Sequence, residues 1–248
     1  APASLSLAGT IASTNTAISL GDLGGSATAS TLTADTVLSA GSGTLTLGGA
    51  VDGAFGLTVN STGTVDVNGV IGGTTPLTSL TSNTGGTLDL GANVSVAGAV
   101  DVNDNVTLAS AVTLTTTNSG GVDFAGTVNG AQNLTLAAAG ATVFNGTVGN
   151  TAPIGTGTGS GLTIDSTGAT SFESTLRTAS GITQADAAGA VTFKGDVTTT
   201  AGDVATTLDG NVILDGLTFT GGGNLTFGSA GSDTLTISTA NVTVKTPS

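Results

Sequence analysis

The sequence predicts an all-β chain, a right-handed parallel β-helix (β-solenoid) of about twelve coils with about 20–21 residues in each. Three observations carry that expectation. A phrase of the form apolar-x-apolar-x-Gly-x-apolar keeps returning at one spacing. Within it the apolar residues fall two apart, the period of a strand with one face turned inward. The dominant residue types are also those that strands and turns favour: Thr, Val, Ile and Phe for the former, Gly, Asn and Asp for the latter.

The clearest copies of the phrase are Val122-Asp123-Phe124-Ala125-Gly126-Thr127-Val128, Val143-Phe144-Asn145-Gly146-Thr147-Val148, Val191-Thr192-Phe193-Lys194-Gly195-Asp196-Val197 and Val212-Ile213-Leu214-Asp215-Gly216-Leu217. Earlier copies are Leu45-Thr46-Leu47-Gly48-Gly49-Ala50-Val51 and Val65-Asp66-Val67-Asn68-Gly69-Val70-Ile71. The interval from Phe124 to Phe144 nearly equals that from Phe193 to Leu214. The glycine of each phrase is expected at a tight corner or a close approach of backbone: Gly49, Gly69, Gly126, Gly146, Gly195 and Gly216. A second strand of the form apolar-Thr-apolar follows, as in Leu57-Thr58-Val59, Leu134-Thr135-Leu136, Leu162-Thr163-Ile164, Leu225-Thr226-Phe227 and Leu235-Thr236-Ile237.

A unit this short has no sheet of its own to bury against, so it must coil and stack on its neighbours. Coils are expected to begin near Ala3, Gly25, Thr44, Thr64, Thr87, Val106, Gly121, Ala141, Ala169, Ala190, Asn211 and Ser232. At a rung spacing of about 4.8 Å they make a single domain, 1–248, on the order of 55 Å long. The right hand follows from the handedness of strand crossovers. The interval from Phe144 to Phe172 is longer than the others, which places a loop insertion at 150–159. Gly72-Gly73-Thr74-Thr75-Pro76 is a smaller turn, and residues 179–190 lack the apolar-Thr-apolar strand.

Stacking turns alignment into geometry. Phe124, Phe144, Phe172, Phe193 and Leu214 are expected to form one internal column, continued by Leu235 on one side and by Val67 and Leu47 on the other. The position after it reads Glu173, Lys194, Asp215, with alternating sign, so neighbours there attract.

Composition excludes several classes of function. Sixteen acids stand against Arg177, Lys194 and Lys245, for a net charge of −13, so no basic footprint for nucleic acid exists. No apolar run reaches the roughly 18 residues that a membrane helix needs, and membrane insertion is not expected. The chain has no Met, so it is expected to be processed or to be a piece of something longer, and Ala1-Pro2-Ala3-Ser4 suits the first residues after signal-peptide removal. Without Cys there are no disulfides, which suits an exported protein.

No catalytic residue is expected, and the chain is not expected to be an enzyme. His and Cys are absent, which removes the usual bases and nucleophiles. Scattered carboxylates and the lack of Trp and Tyr argue against a glycosidase. Asp101-Val102-Asn103-Asp104-Asn105 looks like the first half of a calcium loop, with Asp101, Asn103 and Asn105 as candidate ligands. Val106 stands where its Gly belongs and Val112 where its bidentate Glu belongs, so these residues are taken as corner residues, and calcium is the one cofactor with any candidate site. Asp196, Asp203 and Asp209 are expected to form a loose acidic patch of solvated corners. Thr-x-Thr pairs recur at Thr31/Thr33, Thr44/Thr46, Thr113/Thr115 and Thr234/Thr236; an ice-binding face needs them in an unbroken run on one face, and they fall in separate coils.

The stretches 121–136, Gly-Val-Asp-Phe-Ala-Gly-Thr-Val-Asn-Gly-Ala-Gln-Asn-Leu-Thr-Leu, and 57–80 resemble the repeats of large bacterial exoproteins, the filamentous-haemagglutinin-like and related β-strand-repeat surface proteins. The resemblance covers residues 44–237 and is strongest in 57–150. It implies an exported right-handed β-helix at the bacterial cell surface, serving adhesion, aggregation or biofilm structure. Its motif is architectural and carries over no site residues. The expected partners are therefore further copies of the chain, joined head to tail, or a longer parent chain. A host or neighbouring-cell glycan or protein bound at a loop is the alternative.

Overall fold

A computed structural model of the chain describes residues 4–21, 28–83, 85–239 and 241–246. It is a parallel β-solenoid of about eleven turns, with about 22 residues per turn. Each full turn contributes one short rung to each of three faces. The first face runs through Val94–Val96, Val112–Thr116, Leu134–Ala137, Ser160–Ile164, Gly181–Gln184, Thr206–Leu208 and Leu225–Phe227. The second is the longest and runs from Leu5–Ala12 through Ser30–Gly41, two long strands that begin on the first face and bend onto the second, and on through Gly56–Ser61, Ser79–Ser82, Val100–Val102, Val122–Phe124, Thr142–Phe144, Thr170–Phe172, Val191–Phe193 and Val212–Asp215 to Leu235–Thr239. The third runs from Ile18–Leu20 to Val128–Asn129, and bridges through Val148 join it to the rungs Leu176–Thr178 through Thr243–Lys245. Every strand pair among the described residues is parallel and mostly in register, so residues alternate buried and half-exposed along each rung.

The phenylalanines form the expected column. Phe124, Phe144, Phe172 and Phe193 pair in sequence on the second face, and Leu214 follows. Their rings stack at centroid distances of 4.7, 4.8 and 5.3 Å with interplanar angles of 13°, 5° and 10°. Each pair contributes about 0.5–1.5 kcal/mol beyond the burial of its area. Phe193 then meets Phe219 edge-on, at 5.7 Å and 89°, which ties the second face to the third across the core.

Three expectations need correction, and one cause explains them. The stack has about eleven turns, not twelve. Leu47 and Val67 do stack on one another, but on the third face; the phenylalanine column continues instead through Val102, Ser82, Val59 and Leu38. At the other end Leu214 pairs with Ile237, while Leu235 pairs with Val212. The recurring phrase occupies two different faces, the third in its copies at 45–51 and 65–71 and the second in its later copies. Residues 51–77 recur without a gap as 128–154, where Val51-Asp52-Gly53-Ala54 becomes Val128-Asn129-Gly130-Ala131. The path from Val51 to Val128 runs through three turns and two further faces, so the same local sequence lands on a different side of the prism.

The duplicated stretch also explains the long coil. Ile71 and Leu77 both pair with the rung Val94–Val96, and Gly72–Pro76 loops outward between them. Val148 and Ile154 do the same on Leu176–Thr178, with residues 149–153 looping out. The surplus at 150–159 is thus two excursions, pinned between them by the buried Ile154. Asp52 Oδ1 accepts from the Thr74 and Thr75 amides at 2.7 and 3.0 Å, and Asn129 Oδ1 accepts from those of Thr151 and Ala152 at 2.9 and 3.4 Å. We predict that Asp52→Ala lowers stability by about 0.5–1.5 kcal/mol while Asp52→Asn, the solution already used at Asn129, is near neutral, as read by urea unfolding.

The corner glycines allow backbone to lie on backbone. A Cβ on Gly69 meets the Gly49 carbonyl oxygen at 2.0 Å, and one on Gly146 meets that of Gly126 at 2.3 Å. Gly195 lies equally close to Ser174. Gly216 is needed for another reason, a left-handed φ of +68°.

Candidate functional site

The polar chemistry lies on the outward side of the rungs and at the corners. Outward Asp and Asn residues recur as clips between coils, each accepting a backbone amide about one turn further along: Asp35 from Gly56, Asn93 from Thr113, Asn105 from Thr127, Asp196 from Thr218 and Asn211 from Thr234, at 2.8–2.9 Å. These bonds satisfy amides at corners where the sheet ladder is interrupted, which is where unpaired backbone is costly.

The calcium candidates are among the residues engaged in this way. Asp101 faces outward on the second face, Asn103 donates its Nδ2 to the Ser82 carbonyl at 2.9 Å, and Asn105 sits on the third face holding the Thr127 amide and hydroxyl at 2.9 and 3.0 Å. The corner therefore splays the three candidates instead of converging them on one point. Asp104 between them turns inward and is 2% exposed; its Oδ1 accepts from the Gly86 amide at 2.9 Å and its Oδ2 has no partner. Alternation already marked it, because Val102 and Val106 on either side both point inward. Among the described residues no three His, Cys, Asp or Glu side chains come together as a metal cluster. The supposed patch of Asp196, Asp203 and Asp209 is spread along more than half a turn: Asp196 is clipped to Thr218, Asp203 follows the third-face rung Val197–Thr199, and Asp209 follows the first-face rung Thr206–Leu208.

Among the described residues two carboxylate pairs do stack. Asp101 lies in register with Asp123 on the second face, and Asp66 with Asp89 on the third. Asn145 Nδ2 donates to Asp123 Oδ1 at 2.6 Å. Asp89 is pushed above its ordinary value of 3.8, first by desolvation and then by the Asp66 charge, against a hydrogen bond from Thr107. A raised carboxyl makes the folded state bind its proton more readily, so this group's contribution improves as pH falls toward that window. We predict that Asp89→Asn stabilises the chain at pH 7, by no more than about 0.2–1 kcal/mol once solvent screening is allowed for, because it removes a partly desolvated charge that also faces Asp66, and that the gain disappears in acid. Glu173 behaves oppositely. Lys194 Nζ bonds its Oε2 at 2.7 Å and holds the carboxyl below 4.5, so that pair's stabilisation is present above this value and is lost on acidification.

The quoted Thr-x-Thr pairs lie on three faces: Thr113/Thr115 and Thr31 on the first, Thr234/Thr236 on the second and Thr44/Thr46 at the third. A single rank, however, is unbroken. Thr113, Thr135, Thr163, Thr183, Thr207 and Thr226 pair one above another along the first face. The residues two places on include Asp165 and Asp209, so no second rank runs beside it. At the end of this rank the excursion Gly72–Pro76 overhangs a shallow groove lined by Val70, Pro76, Asn93, Ser95, Thr113 and Thr115.

No protein-family model, curated protein or solved structure matches the chain. No helix among the described residues is long and apolar enough to cross a membrane.

Proposed function

We propose that the chain is a non-enzymatic structural protein, a β-solenoid subunit of a fibre or adhesive stalk, exported to the bacterial cell surface and joined head to tail to support adhesion, aggregation or biofilm. The observation that carries the proposal is where the polar side chains go. Many of the Asp and Asn residues bond the neighbouring coil, and the stacked acid pairs are outward and lie on different faces. The chemistry of the chain serves the stack. The resemblance of 57–80 and 121–136 to filamentous-haemagglutinin-like repeats supports the same function and the same location. Beads coated with the purified chain should aggregate and adhere to bacterial or host cells more than beads coated with an unrelated acidic protein. Equal adhesion, or cleavage of a polysaccharide by the pure chain, contradicts the proposal.

A second function, a receptor- or glycan-binding module, is favoured by the duplicated outward loops and by the groove beside Gly72–Pro76. Shortening 149–153 or 72–76 to a two-residue link then abolishes adhesion while the β-sheet circular dichroism stays intact. Adhesion that survives both deletions assigns it to the stack itself.

A further inference from the structure

The two outward excursions in the middle of the stack are copies of one another, and they differ in one contact. Gly72–Pro76 stands beside the rung Val94–Val96 as residues 149–153 stand beside Leu176–Thr178. The match holds at atomic detail. An added Cβ on Gly72, with φ +67°, meets the Ser95 carbonyl oxygen at 2.0 Å, and one on Gly149, with φ +71°, meets that of Arg177 at 2.0 Å. Ser95 and Arg177 also donate their amides to the Ile71 and Val148 carbonyls at the same 2.8 Å. These two residues therefore hold one position next to the same loop. In the later copy Arg177 Nη1 reaches across and donates to the Asn150 carbonyl at 3.3 Å. In the earlier copy the equivalent carbonyl is that of Gly73. The short Ser95 stands where the arginine would be, and no described group donates to that carbonyl.

The loop presents its carbonyls to the groove. Asp52 Oδ1 holds the Thr74 and Thr75 amides on one side at 2.7 and 3.0 Å. A trans peptide directs its C=O opposite to its N–H, so the carbonyls of Gly73 and Thr74 face the other way, toward Ser95. Asn129 holds the later loop in the same manner, and the Arg177 contact lies on the side this rule requires. The earlier copy has a full negative charge behind its peptides, Asp52 in place of Asn129, and no cation of its own in front. Val70, 40% exposed, and Pro76 line the groove, where the methylenes of a long side chain can lie; the later copy has Thr147 in place of Val70. Ser95 and Thr115 offer hydroxyl oxygens on successive rungs. A net charge of −13 favours the approach of a cation.

We propose that the groove beside Gly72–Pro76 binds the guanidinium of an arginine presented by another protein, which takes in trans the place that Arg177 takes in cis at the later loop. A guanidinium suits two carbonyls on one loop better than an ammonium does, because its donors lie in one plane at fixed spacing. This rests on the second function above, binding at the outward loops, and names the group bound there.

NMR titration of the isotope-labelled full chain with a capped glycine-rich peptide carrying a single arginine tests the site. The amides of Gly73, Thr74 and Ser95 should shift along a one-site curve. The same peptide with citrulline, which is neutral and nearly identical in shape, should bind at least about tenfold more weakly, as expected for hydrogen bonds that lose their charge. Ser95→Arg copies the later loop and should close the groove from within, abolishing those shifts with unchanged circular dichroism. Thr183→Arg adds the same charge on the same face away from the groove and should bind as the wild type does. Equal binding of the arginine and citrulline peptides, or equal binding by Ser95→Arg and Thr183→Arg, overturns the proposal and reduces the attraction to diffuse charge. No arginine binding in a chain whose adhesion is lost on shortening 72–76 overturns the arginine assignment and leaves the binding module standing. Arginine binding as expected in a chain whose adhesion survives both loop deletions upholds the site and overturns the second function.

Discussion

Phe144→Ala should be among the most damaging single substitutions in the chain, with a loss of about 3–5 kcal/mol in denaturant unfolding. The ring is 1% exposed and stacks on Phe124 on one side and on Phe172 on the other, so its removal opens a cavity and breaks two ring contacts. The position is also midway along a stack in which each coil touches only its neighbours. A defect there weakens the coupling of the two halves, and stability in such arrays depends on nearest-neighbour interfaces. Hydrogen exchange should show faster opening in the rungs on both sides of Thr142–Phe144 than in distant ones. Phe55→Ala is the control: that ring is 36% exposed, and its loss should cost less than about 1 kcal/mol.

Gly146→Val is expected to cost about 1–3 kcal/mol for a reason unrelated to volume in the core. The new Cβ lies 2.3 Å from the Gly126 carbonyl oxygen and 2.6 Å from its carbon. Both are backbone atoms of the coil beneath, so the two coils must part at that corner. Gly202→Ala, where a Cβ meets nothing within 4 Å, should leave the unfolding midpoint unchanged. If both substitutions are equally mild, the corners are not the close backbone contacts described.

How much of this was legible in the sequence depended on how strongly each position was marked. Phenylalanine is rare in the chain and falls at inward positions whose spacing is nearly constant except across the loop between Phe144 and Phe172, so the column at Phe124, Phe144, Phe172 and Phe193 could be aligned without coordinates. Leu47 and Val67 carried the same local pattern on another face, because a three-sided prism offers nearly equivalent sides and a displacement of a third of a turn leaves the alternation intact. The third face was hard to see where its rungs shrink to Val128–Asn129 and to Val148 alone, too short to display a period. The threonine rank stayed hidden for another reason. Thr135 and Thr163 are further apart in sequence than Thr163 and Thr183, since outward loops absorb the difference. At the candidate calcium corner the residue types were plain in the sequence. Only the fold shows that Asp101 and Asn105 face different sides of a corner, whereas the inward turn of Asp104 could be read from its alternation with Val102 and Val106.

Spin-label distances along one outward column test the stacking most directly. Thr58, Asp123, Val143, Ser171 and Thr192 share a column on the second face, with Thr81 and Asp101 between the first two. With one label at Thr58 and the other at Asp123, Val143, Ser171 or Thr192, the separation should grow by one equal step of about 4.8 Å at each rung. The step from Val143 to Ser171, whose connecting chain makes both outward excursions, should match the step from Asp123 to Val143, whose connecting chain is shorter. Steps that scale with sequence separation, or that break at the loop, contradict an in-register stack.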